Sequence, residues 1–430
     1  MSKLKINIIS FSFYKGGAAI AARKFYDILE CRGYSVKKTS QDESGKRQFF
    51  LRLVSYFLGL LQKKDVPIKN SLNLFSDKKV LNAFKDKKSL HHLHWVNNDT
   101  LSVFSFDKIP AHSIITLHDE WLYCGTEHYY CDFFPKLHSS FNNSMAQLPF
   151  VCGYHKSFIN RGGVNWKYFI WNAKFKRITS RDDLIFTVPS TWMLKRAKAS
   201  LMLNNKDVRV LPNPIDTDLF APSSNSNEIR KQYGIDSTDI VLTFGAVGGN
   251  KNPAKGAVSL LEALDILPFL VKPELVNKIK LIMFGGGSKG KIDLAFNCLE
   301  IGHITEEAEL AKIYAMSDCV IVASYVESFG QVAAEAQSCG IPVVAFATSG
   351  IMDVVIDNET GLLAEPFNSM SLAEKIAEII NFDFLQKKAI STAARQHVLD
   401  NFAYDVVAEK YIQIVNEAMK NKNHFKEDVK

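Results

Sequence analysis

Residues 327–346, "ESFGQVAAEAQSCGIPVVAF", place two glutamates, Glu327 and Glu335, on either side of a Ser-Phe-Gly turn and close on a short apolar strand. "DCVIVASY" just upstream is β-rich, so the stretch reads as strand, loop, helix, strand, with the helix opening near Phe329 to Gln331. In a parallel α/β sheet, ligands gather beyond the carboxyl ends of the strands, where helix N-termini aim unpaired backbone N–H groups at anions. Gly330 at that mouth lets a phosphate come close to the backbone. Glu327 is then a loop carboxylate and Glu335 lies about a turn and a half into the helix. The two bracket an anion and can accept hydrogen bonds from hydroxyls on either side of it. By itself such a pair is commonly one loop charge and one solvated helix residue, so the rest of the chain has to decide.

The same rhythm fills the chain. "DIVLTFGAVGG", "KIKLIMFGGG", "DCVIVASY" and "IPVVAFAT" alternate with helical patterns such as "GAVSLLEALDIL" and "EEAELAKIYAMS". Short apolar strands between amphipathic helices imply a parallel sheet covered on both faces. The N-terminal half begins "KINIISFSF" and continues "YKGGAAIAARKFYDILECRGYSV". There Gly16 and Gly17 make a turn, Ala18, Ile20, Ala21, Phe25, Ile28 and Leu29 recur at helical spacing, and Gly33 stops the helix. "LHHLHW" (90–95), "SIITLHDEW" (113–121) and "DLIFTVPS" (183–190) read as further strands, and "VRVLPNPIDTDLFAP" has the proline and aspartate chemistry of a linker around Asn213. The expected fold class is α/β: two Rossmann-like doubly wound parallel-sheet domains, 1–214 and 215–405, facing a central cleft. Residues 406–430 read as a C-terminal helix that packs back on the first domain and frays into a basic tail.

At 430 residues the chain suits two domains, and 47% hydrophobic against 23% charged residues is a globular balance that excludes wholesale disorder. The N-terminus reads as a first strand rather than a signal peptide, and no window approaches eighteen uninterrupted apolar residues, so a cytoplasmic protein is expected. Seven cysteines, an odd number, fit reduced thiols better than a disulfide framework. Cys124, His128, Cys131 and Cys152 form one grouping to weigh as a zinc set, but it lacks a tight Cys-x-x-Cys pair and scattered structural cysteines are the better reading. No metal site is expected. A formal charge of +7 is mild; it suits phosphorylated small molecules or an anionic membrane surface, and no nucleic-acid signature accompanies it.

"ESFGQVAAEAQSCGIPVVAF" resembles the E-x7-E segment of the retaining glycosyltransferases of family 4, which have the GT-B fold. "HLHW", "TLHDEW", "VPSTWMLKRAKAS", "VRVLPNPIDTDLFAP", "NPAKGAVSLLEALDIL", "GHITEEAELAKIYAMSDCVIVASYVESFG" and "GLLAEPFNSMSLAEKI" follow in that family's order, so the resemblance covers most of the chain. It implies an N-terminal acceptor domain and a C-terminal nucleotide-sugar donor domain. Glu327 would lie beside the donor sugar as a catalytic residue, with Glu335 on the ribose hydroxyls. Backbone amides of Ser328, Phe329 and Gly330 would meet the diphosphate, Gly16 and Gly17 would line its other side across the cleft, and Lys255 in "NPAKG" would neutralise it. His303 and Ile304 would hold the base. His118 in "TLHDEW" would face the donor sugar as a second catalytic residue, with Asp119 and Glu120 as acceptor-side candidates. The plain alternatives are a surface lysine at 255, a satisfied strand-end histidine at 118 and a capping role for Asp119. The family's phosphate-binding arginine is missing: Ala246 or Val247 stands in its place, with Lys251 as a possible substitute.

The resemblance further implies transfer with retention from a UDP- or GDP-sugar, without a cofactor or divalent metal, to a glycan or lipid-linked acceptor. "TLHDEWLYCGTEHYYCDFF" resembles family members of exopolysaccharide and lipopolysaccharide pathways, which points to bacterial surface polysaccharide synthesis. A GT-B epimerase, a sucrose-type synthase and an inactive nucleotide-binding scaffold are the competing readings. Residues 46–64, "KRQFFLRLVSYFLGLLQKK", carry one stripe of Phe49, Phe50, Leu53, Val54, Phe57, Leu60 and Leu61 between basic ends. Two readings of that stripe stand level: an interfacial helix on the inner face of an anionic membrane, or an amphipathic helix of the core.

Overall fold

A computed structural model of the chain describes residues 5–42, 44–62, 68–130, 132, 148–154, 164–245, 252–286 and 294–427. It divides into two compact units, Met1–Pro214 with Val407–Lys430, and Ile215–Val406.

The first unit holds one six-stranded parallel sheet in the order β2-β1-β3-β4-β5-β6. Its strands are β1 (Lys5–Ser10), β2 (Ser35–Thr39), β3 (Leu90–His94), β4 (Ile114–Thr116), β5 (Ile185–Val188) and β6 (Asp207–Val210). The second unit repeats the plan in the order β12-β11-β10-β7-β8-β9. Its strands are β7 (Ile240–Gly245), β8 (Ile279–Phe284), β9 (Asn297–Gly302), β10 (Cys319–Val322), β11 (Val343–Phe346) and β12 (Gly361–Ala364). Every named strand pair is parallel. The central strands are continuous apolar runs because helices cover both faces: "CVIV" of β10 and "VVAF" of β11 are buried at every residue. Both halves expected from the strand–helix rhythm are therefore doubly wound α/β sheets.

The four strands that the sequence pattern did not mark, β2, β6, β9 and β12, are the four sheet edges. An edge strand has one neighbour and one half-wet flank, so "SVKKT" and "NCLEIG" keep polar residues and lose the apolar signal. β6 also corrects the linker reading, since residues 207–210 pair with β5 before the proline-rich stretch begins.

The C-terminal helix, Tyr404–Glu427, corrects the expected fraying: it continues through the lysine-rich stretch to Glu427. Within the first unit, Val407, Tyr411, Ile414, Val415, Ala418 and Met419 are buried, and the Lys422 ammonium donates to the Ser89 carbonyl at 2.5 Å. A lysine whose head finds a carbonyl extends the packed face rather than ending it.

Helix α1 (Gly17–Cys31) follows β1, and helix α2 (Lys46–Gly59) follows β2. α2 turns its polar residues inward. Gln48 and Ser55 are its buried residues; Gln48 Nε2 donates to the Asp99 carbonyl at 2.6 Å and Ser55 Oγ to Asp99 Oδ1 at 2.8 Å. Phe49, Phe50, Tyr56 and Phe57 stand 60–64% exposed, with Leu53, Leu60 and Leu61 also exposed. The core-helix reading of 46–64 is thereby overturned for the described residues, because the apolar stripe faces away from the sheet. Lys63 and Lys64 lie outside the described residues. Among those described, no helix is long and apolar enough to cross a membrane.

Candidate functional site

In the second unit the chain leaves β10, loops through Glu327, and enters the helix Gln331–Ser338 at Gly330. Gly330 has φ 108°, a left-handed conformation that favours glycine and turns the chain into the helix. The N–H groups of Ser328, Phe329 and Gly330 donate to no protein group among the described residues. Phe329 meanwhile buries its ring edge-on against Phe402, centroids 5.1 Å apart, which anchors the loop from below. Three successive free amides at a helix mouth, over an anchored backbone, are an arrangement that can accept an anion.

Lys255 ends the short 3-10 helix Pro253–Lys255 that lies between β7 and β8, and its ammonium pairs with Glu327 Oε1. The side chains of both are only about a fifth exposed, 23% and 19%, so Lys255 is not a solvated surface lysine. Gly256 sets it there: φ is +65°, and a Cβ on that residue would sit 1.8 Å from the Ala323 carbonyl oxygen. Tyr325 N–H closes the contact by donating to the Ala254 carbonyl at 2.8 Å. Ser324 Oγ donates to Glu327 Oε1 at 2.8 Å, while the Glu327 N–H donates to Ser349 Oγ at 2.9 Å and its carbonyl accepts from Gly350 N–H at 2.9 Å. Glu327 is held by backbone and side chain at once.

Glu335 is buried, and so is no solvated helix charge. Gln331 Nε2 donates to its Oε1 at 2.8 Å and the Tyr314 hydroxyl lies 3.4 Å from its Oε2. Burial and the nearby Glu335 push the Tyr314 phenol well above its usual range. His303 and Ile304 follow β9 in an irregular loop, His303 exposed and Ile304 packed against the apolar core. No hydrogen bond or ion pair among the described residues joins His303 to the Glu327 group. Ala246, Val247 and Lys251 lie outside the described residues.

In the first unit, Gly16 caps α1 with φ 91° and Gly17 begins it. Both are exposed, with no atom within 4 Å of where a Cβ would be, so the α1 mouth is open. Ser12 and Asp42 brace the preceding loop: Ser12 Oγ donates to Asp42 Oδ1 at 2.6 Å and Phe13 N–H to Asp42 Oδ2 at 3.0 Å.

His118 lies just past β4, and its Nε2 is 3.0 Å from His94 Nδ1. Burial lowers its pKa to about 4, so the ring is neutral at pH 7. Asp119 is a structural hub. Its Oδ1 accepts from Trp121 N–H at 3.0 Å, as the capping reading expected, and its Oδ2 takes Trp95 Nε1 at 2.7 Å and His128 Nδ1 at 2.5 Å. His128 Nε2 in turn lies 2.8 Å from Ser71 Oγ. Glu120 corrects its acceptor-side assignment. It is fully buried, and its carboxylate is consumed by Arg196, by the Tyr123 hydroxyl at 3.1 Å and by Tyr130 N–H at 2.8 Å. A carboxylate saturated in the core has no lone pair to offer a substrate.

The grouping weighed for zinc does not assemble among the described residues: Cys124 is buried, Cys152 exposed, His128 engaged with Asp119, and Cys131 lies outside them. The residues that sequence reasoning missed are those that hold the named ones. Ser324, Gly256, Ser349 and Gly350 fix the Lys255–Glu327 pair, and His92, His94 and Tyr411 stand behind His118. The two histidines of "HLHW" at alternate positions were the available signal, because alternation puts both on one face of β3.

Residues 225–397 match the family model described as "Glycosyl transferases group 1". D-inositol 3-phosphate glycosyltransferase from Xylanimonas cellulosilytica is 28% identical over 231 residues, which are 50% of this chain and 52% of that protein. The chain spans about half the length of such curated relatives. Sucrose-phosphate synthase from Thermosynechococcus elongatus matches over 97% of this chain and 100% of its own, with TM-score 0.65 and 18% identity. Anabaena HepE, solved in complex with UDP and glucose, matches over 96% and 100%, with TM-score 0.62 and 17% identity. These likenesses over nearly the whole chain show a GT-B fold, and within its second unit residues 225–397 carry a group 1 glycosyl transferase domain.

Proposed function

We propose that the protein is a retaining glycosyltransferase whose second unit binds a nucleotide-diphosphate sugar. The observation that carries this is the Lys255–Glu327 pair at the mouth of the Gln331–Ser338 helix, beside three free amides. A lysine ammonium has three donors, so Lys255 can bridge Glu327 and a phosphate oxygen together. The amides and the helix dipole take the remaining phosphate charge, a task that needs no divalent metal. Glu335, already oriented by Gln331, accepts from ribose hydroxyls. UDP is the first nucleotide to try, since HepE was solved with it.

In the transfer, the bond from the sugar's anomeric carbon to the diphosphate oxygen breaks and a bond to the acceptor hydroxyl oxygen forms on the same face. The acceptor's proton passes to the departing phosphate oxygen. Glu327, tied to Lys255, Ser324, the Ser349 hydroxyl and the Gly350 N–H, stabilises positive charge at the anomeric carbon and does not attack it. The acceptor is a glycan or lipid-linked saccharide of a bacterial surface polysaccharide. That half of the reading is supported by α2, whose exposed aromatic face and exposed Lys46 and Arg47 suit an anionic bilayer. A small polar acceptor, such as the one in the name of the Xylanimonas relative, is the other reading.

The test is calorimetric titration of UDP, GDP, ADP and dTDP into the metal-free protein, repeated with chelator, followed by incubation of the bound nucleotide's sugars with acceptors. Selective binding that survives chelator supports the donor site. No binding by any of the four removes it.

A further inference from the structure

Behind His118 runs a buried line of ring nitrogens and hydroxyls, all within the first unit. Tyr411 OH lies 2.6 Å from His92 Nδ1, His92 Nε2 lies 2.7 Å from Thr116 Oγ1, and Thr116 Oγ1 lies 2.7 Å from Thr187 Oγ1. On the other branch His94 Nε2 lies 3.3 Å from His92 Nδ1, and His94 Nδ1 lies 3.0 Å from His118 Nε2. Burial holds all three imidazoles below their ordinary pKa, so each is neutral and carries one N–H. One proton per ring makes the line directional: once a single hydrogen is placed, every other tautomer follows.

Two directions satisfy the geometry, and each leaves one hydroxyl hydrogen over, at Tyr411 or at Thr187. The Tyr411 contact decides between them. A phenol is a better donor and a poorer acceptor than an imidazole nitrogen. A separation of 2.6 Å also lies inside the range of O–H donors and below the usual 2.7–3.2 Å of N–H···O bonds. Tyr411 therefore donates to His92 Nδ1, and His92 must carry its hydrogen on Nε2, where it donates to Thr116. A bare His94 Nε2 would set its lone pair against that of His92 Nδ1 at 3.3 Å, so His94 Nε2 carries the hydrogen, sharing as a longer second donor the lone pair that Tyr411 takes, and His94 Nδ1 is bare. His118 Nε2, facing that bare nitrogen, carries the hydrogen. His118 Nδ1 is then left as a lone pair with no protein partner among the described residues.

We infer that Tyr411 of the C-terminal helix, acting through His92 and His94, fixes His118 as its Nε2–H tautomer and so presents its Nδ1 as a hydrogen-bond acceptor for a ligand hydroxyl. Tyr411, His92 and His94 are positioning residues in this scheme. The tautomer stands on the first unit's own geometry, whereas its use on a sugar hydroxyl rests on the glycosyltransferase reading. In that use His118 accepts from a sugar hydroxyl through Nδ1, and it supplies no proton to the reaction.

Nitrogen-15 spectra of the full chain labelled at histidine test this, with His118→Ala identifying the His118 signals. The expected result is a pyridine-like Nδ1 and a pyrrole-like Nε2 for His118 from pH 6 to 8, and a shift toward the other tautomer in Tyr411→Phe. A pyrrole-like Nδ1 in the wild-type chain overturns the inference. An unchanged His118 tautomer in folded Tyr411→Phe overturns the part given to Tyr411. The wild-type measurement needs no variant, so it decides the direction of the line even if Tyr411→Phe fails to fold. Neither readout depends on donor binding: a protein that binds no nucleotide but shows the expected tautomer loses the glycosyltransferase reading and keeps this one.

Discussion

Lys255 and Glu327, 72 positions apart in sequence, are joined as an ion pair at the mouth of the helix that carries Glu335. The pair has a consequence for binding. A charge-assisted hydrogen bond contributes about 1.5–3 kcal/mol, so Lys255→Met, which keeps the stem and removes the ammonium, is expected to weaken nucleotide-diphosphate binding by roughly 10- to 100-fold. Calorimetry reads it directly. A Lys255→Met protein with wild-type affinity would remove Lys255 from the donor site.

The two glutamates are expected to separate in kinetics. Glu327→Gln keeps the shape of a side chain already held by Ser324 but removes its charge, so turnover should fall on the order of 100-fold while donor KM stays within a few-fold. Glu335→Ala should instead raise donor KM, because it removes the carboxylate proposed to meet the ribose and leaves the Gln331 amide without that partner. Steady-state constants for both variants check the split, and two variants with wild-type values would sink the assignment.

The strand–loop–helix turn that carries Glu327 and Glu335 was legible in the sequence because Gly330 and the flanking strands mark it by short-range chemistry, whereas taking the two glutamates as site residues over a loop charge and a solvated helix residue rested on the family resemblance. Lys255 needed the family resemblance, since nothing local distinguishes it from a surface lysine. Its neighbour Gly256 was invisible because its reason, the Ala323 carbonyl, arrives from another strand end. Glu120 misled for the same cause: its partner Arg196 lies 76 positions away, and only tertiary packing turns an apparent cleft carboxylate into a buried ion pair. The stripe in α2 was legible as a stripe. Its direction was not, because the bonds that turn Gln48 and Ser55 inward go to Asp99, on a distant loop.

Gly256→Ala tests how the site is held. The new Cβ meets the Ala323 carbonyl at 1.8 Å in a left-handed backbone, so the loop must move. A loss of about 2–4 kcal/mol of stability is expected, read as a lower denaturation midpoint at unchanged slope, with donor affinity falling alongside. An unperturbed midpoint would show that the loop is not packed as described.

Stability should fall in mild acid. His92 and His118 have folded pKa values of about 3 and about 4, and His91, also buried, about 4. Asp119 near His118 and Asp86 near His91 oppose the lowering but do not cancel it. Each folded value lies below the unfolded value of 6.5, so between those limits the unfolded chain binds more protons. The stabilising contribution is complete above about pH 6.5 and is lost as pH falls toward 4, on the order of a few kcal/mol per buried ring. Denaturant midpoints from pH 7.5 to 4.5 measure the slope. His91→Gln should flatten it without touching the His118 line, and a midpoint independent of pH would contradict the burial of these rings.

The α2 face makes the last prediction. Exposed phenylalanines contribute nothing to a fold they do not touch, so Phe50→Glu with Phe57→Glu should change stability by no more than about 0.5 kcal/mol. On a bilayer the same rings are worth about 1.5–3 kcal/mol each when buried. Basic residues such as Lys46 and Arg47 add about 1 kcal/mol each near anionic lipid. Wild-type protein should therefore co-float with vesicles containing phosphatidylglycerol at low salt, less so with neutral vesicles or at high salt, where screening removes the basic contribution but leaves the aromatic one. The double variant should stay at the bottom of the gradient while remaining folded. Wild-type protein that ignores anionic vesicles at low salt would leave the small polar acceptor as the better reading, since nothing else described in the first unit calls for a membrane.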